Sequence, residues 1–568
     1  MQTPRFRSLA LILPLTLLAS AALTPRARAD SLLMQPTGLY GDFLAGHFAQ
    51  QQDDTGYAAL ELLEANRNDP HDLELRRQAF IACVLDERPE ALALARQLPG
   101  DPGAELFLAD EEAAAGNWAA AEQRFRSLPS EAPTQLVQPL LIAWAEAGAG
   151  KTDAALATLQ PLMQTDRLRG VYALHAAMIT DLAGRNADAD QFYRDARAAS
   201  NGVNIRLAEI LASWQARQGD TAAATATLEA LPRVDQTLGI VLPQLREQMA
   251  VRPVMSATDG IAEAYLALAG SLRQEDSPQF ALFLLRLALD VRPSLTAARL
   301  VMADTLDASR HPAKALALLA AVGANDPLNE LVELRRAGLE LQLGRKEDAL
   351  RRLERVAAAN PASPEPPMRI GDILRGANRF AEAEDAYSRA IQRVGEPTRA
   401  DWSLFYARGI AYDRASQWDK AEADFNRALQ LSPDEPYVLN YLGYSLTEQN
   451  RDLDRARQMI EKAAEVRPND GAILDSMGWV LVRQGNPAEA IRWLERAVES
   501  DSEDATINGH LGDAYWAVGR KLQAEFQWRR ALNLNPEPAD AAKLEAKLRD
   551  AGVPAAASPA AANATRLQ

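Results

Sequence analysis

One cysteine, Cys83, stands among 568 residues, so no internal disulfide can form and thiol usage is silent about redox compartment. Aromatic residues make up only 6%, which leaves alanine and leucine to build the interior and favours helices. Positive charge is also short. With 61 Lys and Arg against 77 Asp and Glu, the formal net charge is −16, and such a surface repels phosphate backbones, which argues against nucleic-acid binding. The five histidines (His47, His71, His175, His311 and His510) are scattered, none in a metal-ligand spacing. No Ser/His/Asp or Cys/His arrangement can be singled out, so no catalytic residue, metal or cofactor is expected.

Long apolar runs are missing except at the N-terminus. There Arg5 and Arg7 precede an apolar stretch from Leu9 to Leu23, followed by Ala27-Arg28-Ala29. Basic, apolar and small-x-small segments in that order predict a secretory signal peptide over residues 1–29. The apolar stretch is short of the ~20 residues a bilayer span needs. The expected mature chain starts at Asp30, is periplasmic and carries no transmembrane segment. A lipid anchor needs a Cys just after the apolar run, and none is there.

What is abundant is alanine at a fixed interval. Ala281, Ala315, Ala349 and Ala383 are each 34 residues apart, as are Ala456, Ala490 and Ala524. Ala58, Ala91, Ala121, Ala155, Ala189, Ala224 and Ala421 complete a series of fourteen with small deviations. A period near 34 is the mark of tetratricopeptide repeats, each an antiparallel helix pair. Small residues sit about one helix earlier, among them Gly371, Gly409, Gly478 and Gly512. Two helices approach closely only where side chains are small, so these glycines mark the crossing point of each pair. Proline recurs at the repeat boundaries, as at Pro293, Pro327, Pro361, Pro433 and Pro468, where its missing N–H does no harm.

This pattern predicts an all-α solenoid, a right-handed superhelix of about fourteen repeats in two blocks. A degenerate block over 30–238 leads to a joint over 239–261, the stretch that widens one interval to 57 residues, from Ala224 to Ala281. A regular block over 262–538 follows, then a capping helix over 539–552 and a disordered tail over 553–568. With the repeats filling the chain, a catalytic domain of about 100 residues has no place to sit, and the expected protein is not an enzyme.

Two stretches invite a chemical reading. "AEAGAGKTDAAL", residues 145–156, resembles the end of a phosphate-binding loop. Such a loop needs a further Gly at position 145, which is Ala, and a preceding strand where the pattern is helical. Gly150 instead shares its slot, five residues before the repeat alanine, with Gly219, Gly485 and Gly519. It is a turn, and no nucleotide is expected. The acids Asp110 to Glu112 are consecutive and point about 100° apart on a helix, which suits a solvated face rather than a general acid/base pair.

Residues 402–536, with "DSMGW" from Asp475 to Trp479 and "HLGD" from His510, closely resemble a group of proteobacterial envelope tetratricopeptide proteins. That group includes the lipoprotein adaptor of a carboxyl-terminal processing protease. The resemblance implies a non-catalytic periplasmic scaffold or adaptor for protein or peptide partners, possible substrates of an envelope protease among them. The alternative is an assembly factor for an envelope machine such as a pilus, secretion or polysaccharide export system. This chain departs from the adaptor in having no Cys for a lipid anchor. The family geometry places the first helix of each pair along the concave groove, and implies groove positions for Tyr406, Asn440, Tyr441, Tyr444, Asp475, Trp479 and Trp516. Tyr412, Phe425, Tyr515 and Trp528 fall on packing positions within a pair. Amphipathic rings beside an Asn and an Asp suit an extended peptide; the same rings also suit packing between neighbouring first helices.

Overall fold

The computed structural model describes residues 38–552 except 53, 130–133, 166–167, 201, 203 and 273–277. The segments expected as signal peptide and tail therefore lie outside the described residues. Thirty-one α-helices run in sequence from Leu39–Gln51 to Pro538–Asp550, with no strand among the described residues. The chain divides into two compact units, one up to Leu108 and one from Ala109 onward.

Local chemistry punctuates the helices where the 34-residue period expects breaks. Asp470 and Asp504 cap their helices by accepting hydrogen bonds from the Ile473 and Ile507 amides at 3.3 and 2.9 Å, satisfying donors that a helix start leaves free. Pro436, Pro487 and Pro538 open helices, where a fixed φ helps and no N–H is missed. Between the two helices of a repeat, Gly150, Gly219, Gly485 and Gly519 all have φ between +76° and +87°, the left-handed region that glycine enters without strain. The stretch like a phosphate loop is thus a turn after the Thr134–Gly148 helix, and Lys151 Nζ pairs with Glu122 at 3.5 Å.

In the first unit, Phe80 and Phe107 meet edge to face at 5.8 Å, and Arg77 pairs with Asp101 at 3.0 Å. The second unit shows why the crossing glycines are small. A Cβ built on Gly409 would lie 2.6 Å from the Phe425 ring, on Gly478 2.4 Å from Leu494, and on Gly512 2.5 Å from Trp528. Phe425 and Trp528 are correspondingly buried, as are Tyr412 and Tyr515. The Pro538–Asp550 helix closes the array by inserting Leu544 into the last core.

The middle of the chain departs from the expected joint. Residues Gln236–Val241 form a 3-10 turn and Leu242–Gln248 a short helix, and the next helix, Ala257–Leu272, starts before residue 262. This helix packs back on Thr134–Gly148 and Arg169–Leu182. Gly260, inside the expected joint, is helical, and a Cβ there would overlap the Trp144 ring at 2.2 Å. The Tyr265 hydroxyl donates to both Asp110 carboxylate oxygens at 3.0 and 2.9 Å. Asp110 is therefore buried, not on the solvated face expected of it; Glu111 beside it is exposed. A contact spanning 155 positions has no local trace in sequence.

Candidate functional site

The first helices of the last four repeats, Trp402–Arg414, Pro436–Glu448, Gly471–Arg483 and Ala505–Ala517, carry the seven residues singled out from sequence. All have crossing glycines within four residues, which fixes their register: Tyr406, Asn440 and Asp475 each stand three residues before theirs. The structure gathers six of the seven into three clusters and leaves Asn440 apart.

Tyr406 and Tyr441 form the first. Their rings meet edge to face at 5.9 Å, and both lean on Phe425, at 6.0 and 5.1 Å. The Tyr441 hydroxyl donates to Asp413 Oδ2 at 2.9 Å. Burial pushes the Tyr406 phenol up to about 12 and, first among its causes, raises the Tyr441 phenol as well. Both rings are half-buried. Asn440 is half-buried too, and its Oδ1 is buried without a hydrogen-bond partner, an acceptor whose lost hydration nothing offsets.

The second cluster is built on a residue that sequence reasoning set aside. His510 Nδ1 lies 3.0 Å from both oxygens of Asp475. The Trp479 indole stacks on the imidazole at 4.0 Å and 10°, and Tyr444 lies 6.4 Å from it. Trp479 Nε1 donates to Glu448 Oε1 at 2.6 Å, and the Arg483 guanidinium sits 5.7 Å over the same indole. Burial by itself lowers the basicity of His510, but the Asp475 carboxylate outweighs it, and the imidazole titrates above its ordinary value. A protonated imidazole between a carboxylate and an indole face is held by charge on one side and by the ring quadrupole on the other. Asp475 is 4% exposed, so its carboxylate serves His510 rather than open groove. The signal for His510 was its register: it stands two residues before Gly512, as Tyr441 stands two before Gly443.

Trp516 belongs to the third cluster. It leans on Trp528 at 5.3 Å with Lys521 Nζ 5.3 Å over its ring. Trp528 Nε1 donates to Asp513 at 2.9 Å, and Lys547 of the capping helix pairs with the same carboxylate at 2.6 Å. Tyr444, Trp479 and Trp516 are all half-buried. What these first helices offer is thus a set of partly uncovered rings, with the polar tips of Tyr441 and Trp479 already engaged. It can cover apolar side chains and stack on planar groups, and it holds one unengaged acceptor.

Among the described residues, no group of three or more His, Cys, Asp or Glu side chains is arranged to hold a metal ion, and no helix is long and apolar enough to cross a membrane.

Known proteins align with these repeats. Residues 260–403 match the tetratricopeptide repeat-like domain family, and residues 402–435, 442–505 and 476–537 match tetratricopeptide repeat families. A TPR repeat-containing protein of Pseudomonas aeruginosa is 25% identical over 206 residues, 36% of this chain and 34% of the relative. Tetratricopeptide repeat protein 16 of Macaca fascicularis is 25% identical over 245 residues, 42% of this chain and 25% of the relative. This chain therefore spans about a third or less of the curated relatives it matches. Among solved structures, the Cut9–Hcn1 complex is 15% identical and covers 89% of this chain and 95% of that one, with TM-score 0.36. Yeast Tom70 is 13% identical and covers 79% and 95%, with TM-score 0.33.

Proposed function

Because the chain is a tetratricopeptide repeat protein, whose repeats make it a scaffold for other proteins, we propose that it is a non-catalytic adaptor of the bacterial envelope. Its partner offers an extended segment to the groove of the last four repeats, and the adaptor presents that segment to an envelope protease. The observation that carries this reading is the row of half-buried rings, Tyr406, Tyr441, Tyr444, Trp479 and Trp516, on consecutive first helices. A partly packed ring has already lost most of its rotamer freedom, so contact with a partner costs little further ordering. Export through the basic and apolar N-terminal segment places the adaptor in the periplasm.

The test uses the full chain as bait in envelope extracts. A protease or cell-wall hydrolase recovered with wild type, and lost with Trp479→Ala and Tyr444→Ala at unchanged thermal stability, is the expected result. Truncation of an interface ring typically costs about 2 kcal/mol or more, roughly thirtyfold in affinity. If the same changes lower the melting temperature without a separate binding loss, the rings serve packing and the groove reading fails. Recovery of secretion or export subunits instead supports the assembly-factor alternative. Mass spectrometry of the exported chain should find its N-terminus near Asp30; a cytoplasmic form starting at Met1 counts against the envelope assignment.

A further inference from the structure

The first described helix, Leu39–Gln51, leaves a row of large apolar side chains in solvent. Tyr40, Leu44 and Phe48 stand four residues apart on one face and are 81%, 63% and 63% exposed. Register explains why. Phe48 stands two residues after the crossing glycine Gly46, as Ala411, Ser445, Val480 and Ala514 stand two after Gly409, Gly443, Gly478 and Gly512. All four of those are buried, each on a helix that packs against the last helix of the repeat before it. Leu44 stands two residues before its glycine, where Ala407, Tyr441, Ser476 and His510 stand in the last repeats, none of them exposed. Leu44 and Phe48 are thus bare because they occupy positions that a preceding repeat covers, and no helix among the described residues precedes Leu39–Gln51. The open end of a solenoid needs a polar outer face. The last repeat has one in Pro538–Asp550, which turns Asp540, Lys543, Glu545 and Arg549 to solvent; the first repeat shows a leucine and two aromatic rings instead.

Charge narrows the choice of occupant. Asp42 is the only Asp, Glu, Lys or Arg of Leu39–Gln51, and it is buried, accepting from Asn68 Nδ2 at 3.1 Å. With a formal net charge of −16, two copies of the chain repel each other over most of their surface. They approach at least cost on a helix face that shows no charge. An anionic membrane is repelled by the same excess, and an interfacial helix carries Lys or Arg beside its apolar row, which this helix lacks.

We propose that this row is the interface of a homodimer, in which the Leu39–Gln51 helices of two copies cross about a two-fold axis near Leu44 and each covers the other's first repeat. Such a contact uses the same patch on both copies, and side chains spaced by four form the ridges that interdigitate when two helices cross. The three side chains expose roughly 400 Å² of apolar surface. That is about half of the ~800 Å² per partner in a standard interface, so the dimer is reversible and forms in the micromolar range.

Sedimentation velocity of the purified full chain, over a series of micromolar concentrations, tests this. Wild type is expected to pass from a 61.9 kDa monomer to a dimer as concentration rises. Leu44→Glu sets like charges against each other at the axis and should weaken association about tenfold or more. Its thermal unfolding should not change, because the side chain it replaces lies in solvent; Phe48→Glu should behave alike. Trp479→Ala should dimerise as wild type does. Since Cys83 is buried, Leu44→Cys adds an accessible thiol, and copper phenanthroline should join two copies through it. Leu522→Cys, at a position 80% exposed, should crosslink far more slowly. The proposal is overturned if wild type stays monomeric, if both Glu variants dimerise as wild type does, or if the two Cys variants crosslink at the same rate. It is equally overturned by a monomer that floats with phosphatidylethanolamine and phosphatidylglycerol vesicles through this row, or by a monomer whose Leu44→Glu variant melts early because its own chain covers the row.

Discussion

Two histidines illustrate how the same residue type acquires opposite roles from its neighbours. His510 faces Asp475 at 3.0 Å and titrates above its ordinary value. His175, lined by apolar residues and accepting from Trp144, is depressed to about 4. The signs of their linkage to stability differ accordingly. His510 contributes stability that is fully present below about pH 6.5, the unfolded value, and lost as pH rises through the raised folded one. His175 contributes stability present above about pH 6.5 and lost as pH falls toward the folded value, on the order of 3 kcal/mol at most. Denaturant melts from pH 4 to 9 should therefore show His510→Gln losing its stability difference from wild type on the alkaline side. His175→Gln should lose its difference on the acid side. Parallel curves for either variant would mean that its histidine does not change charge between the folded and unfolded states.

Helix pairs depend on where a side chain is absent. At Gly409 a methyl would stand 2.6 Å from Phe425, itself fully buried. Gly409→Ala should cost about 1–3 kcal/mol. Gly338, inside the Asn329–Gln342 helix, has nothing within 4 Å of a built Cβ. Gly338→Ala should stabilise by about 0.5–1 kcal/mol, because glycine in a helix interior wastes backbone entropy. Urea unfolding of the two variants side by side checks both, and equal effects would show that crossing points are looser than the geometry requires. Spacing in the sequence made the crossing glycines legible, since period and residue size suffice to identify them. The same spacing did not reveal Gly260, whose partner Trp144 lies more than a hundred residues earlier.

At the scale of the whole molecule, the second unit is more than a stack of neighbours. In a plain solenoid each repeat touches only the adjacent ones, yet Ala257–Leu272 packs on Thr134–Gly148 and Arg169–Leu182. Tyr265 and Asp110 form the buried polar contact of that packing. Burial first, and then the negative charge of Asp290 and Glu111, push the Asp110 carboxyl well upward, against the Tyr265 hydrogen bond that draws it down. Tyr265→Phe removes that donor and leaves a buried polar group unsatisfied, with an expected cost of about 1–3 kcal/mol. Because the contact joins distant repeats, the loss should also make denaturant unfolding of the second unit less cooperative, visible as a lower slope. An unchanged slope with lowered stability would mean that the contact is local in effect.

The repeat period, the crossing glycines, the boundary prolines and the turn at Gly150 followed from the sequence alone. Each is a local demand of a helix pair: small residues where axes approach, no donor needed where a helix begins, positive φ where it turns back. The candidate rings of the last repeats came from the family resemblance, and the sequence placed them on first helices, where the structure has them. Tertiary structure alone decided what those faces meet. It gave Asp475 to His510, buried Asp110 under Tyr265, and made a helix of part of the expected joint. Those outcomes depend on side chains brought together across tens to more than a hundred residues, and no local pattern encodes which distant surface will arrive to exclude the water.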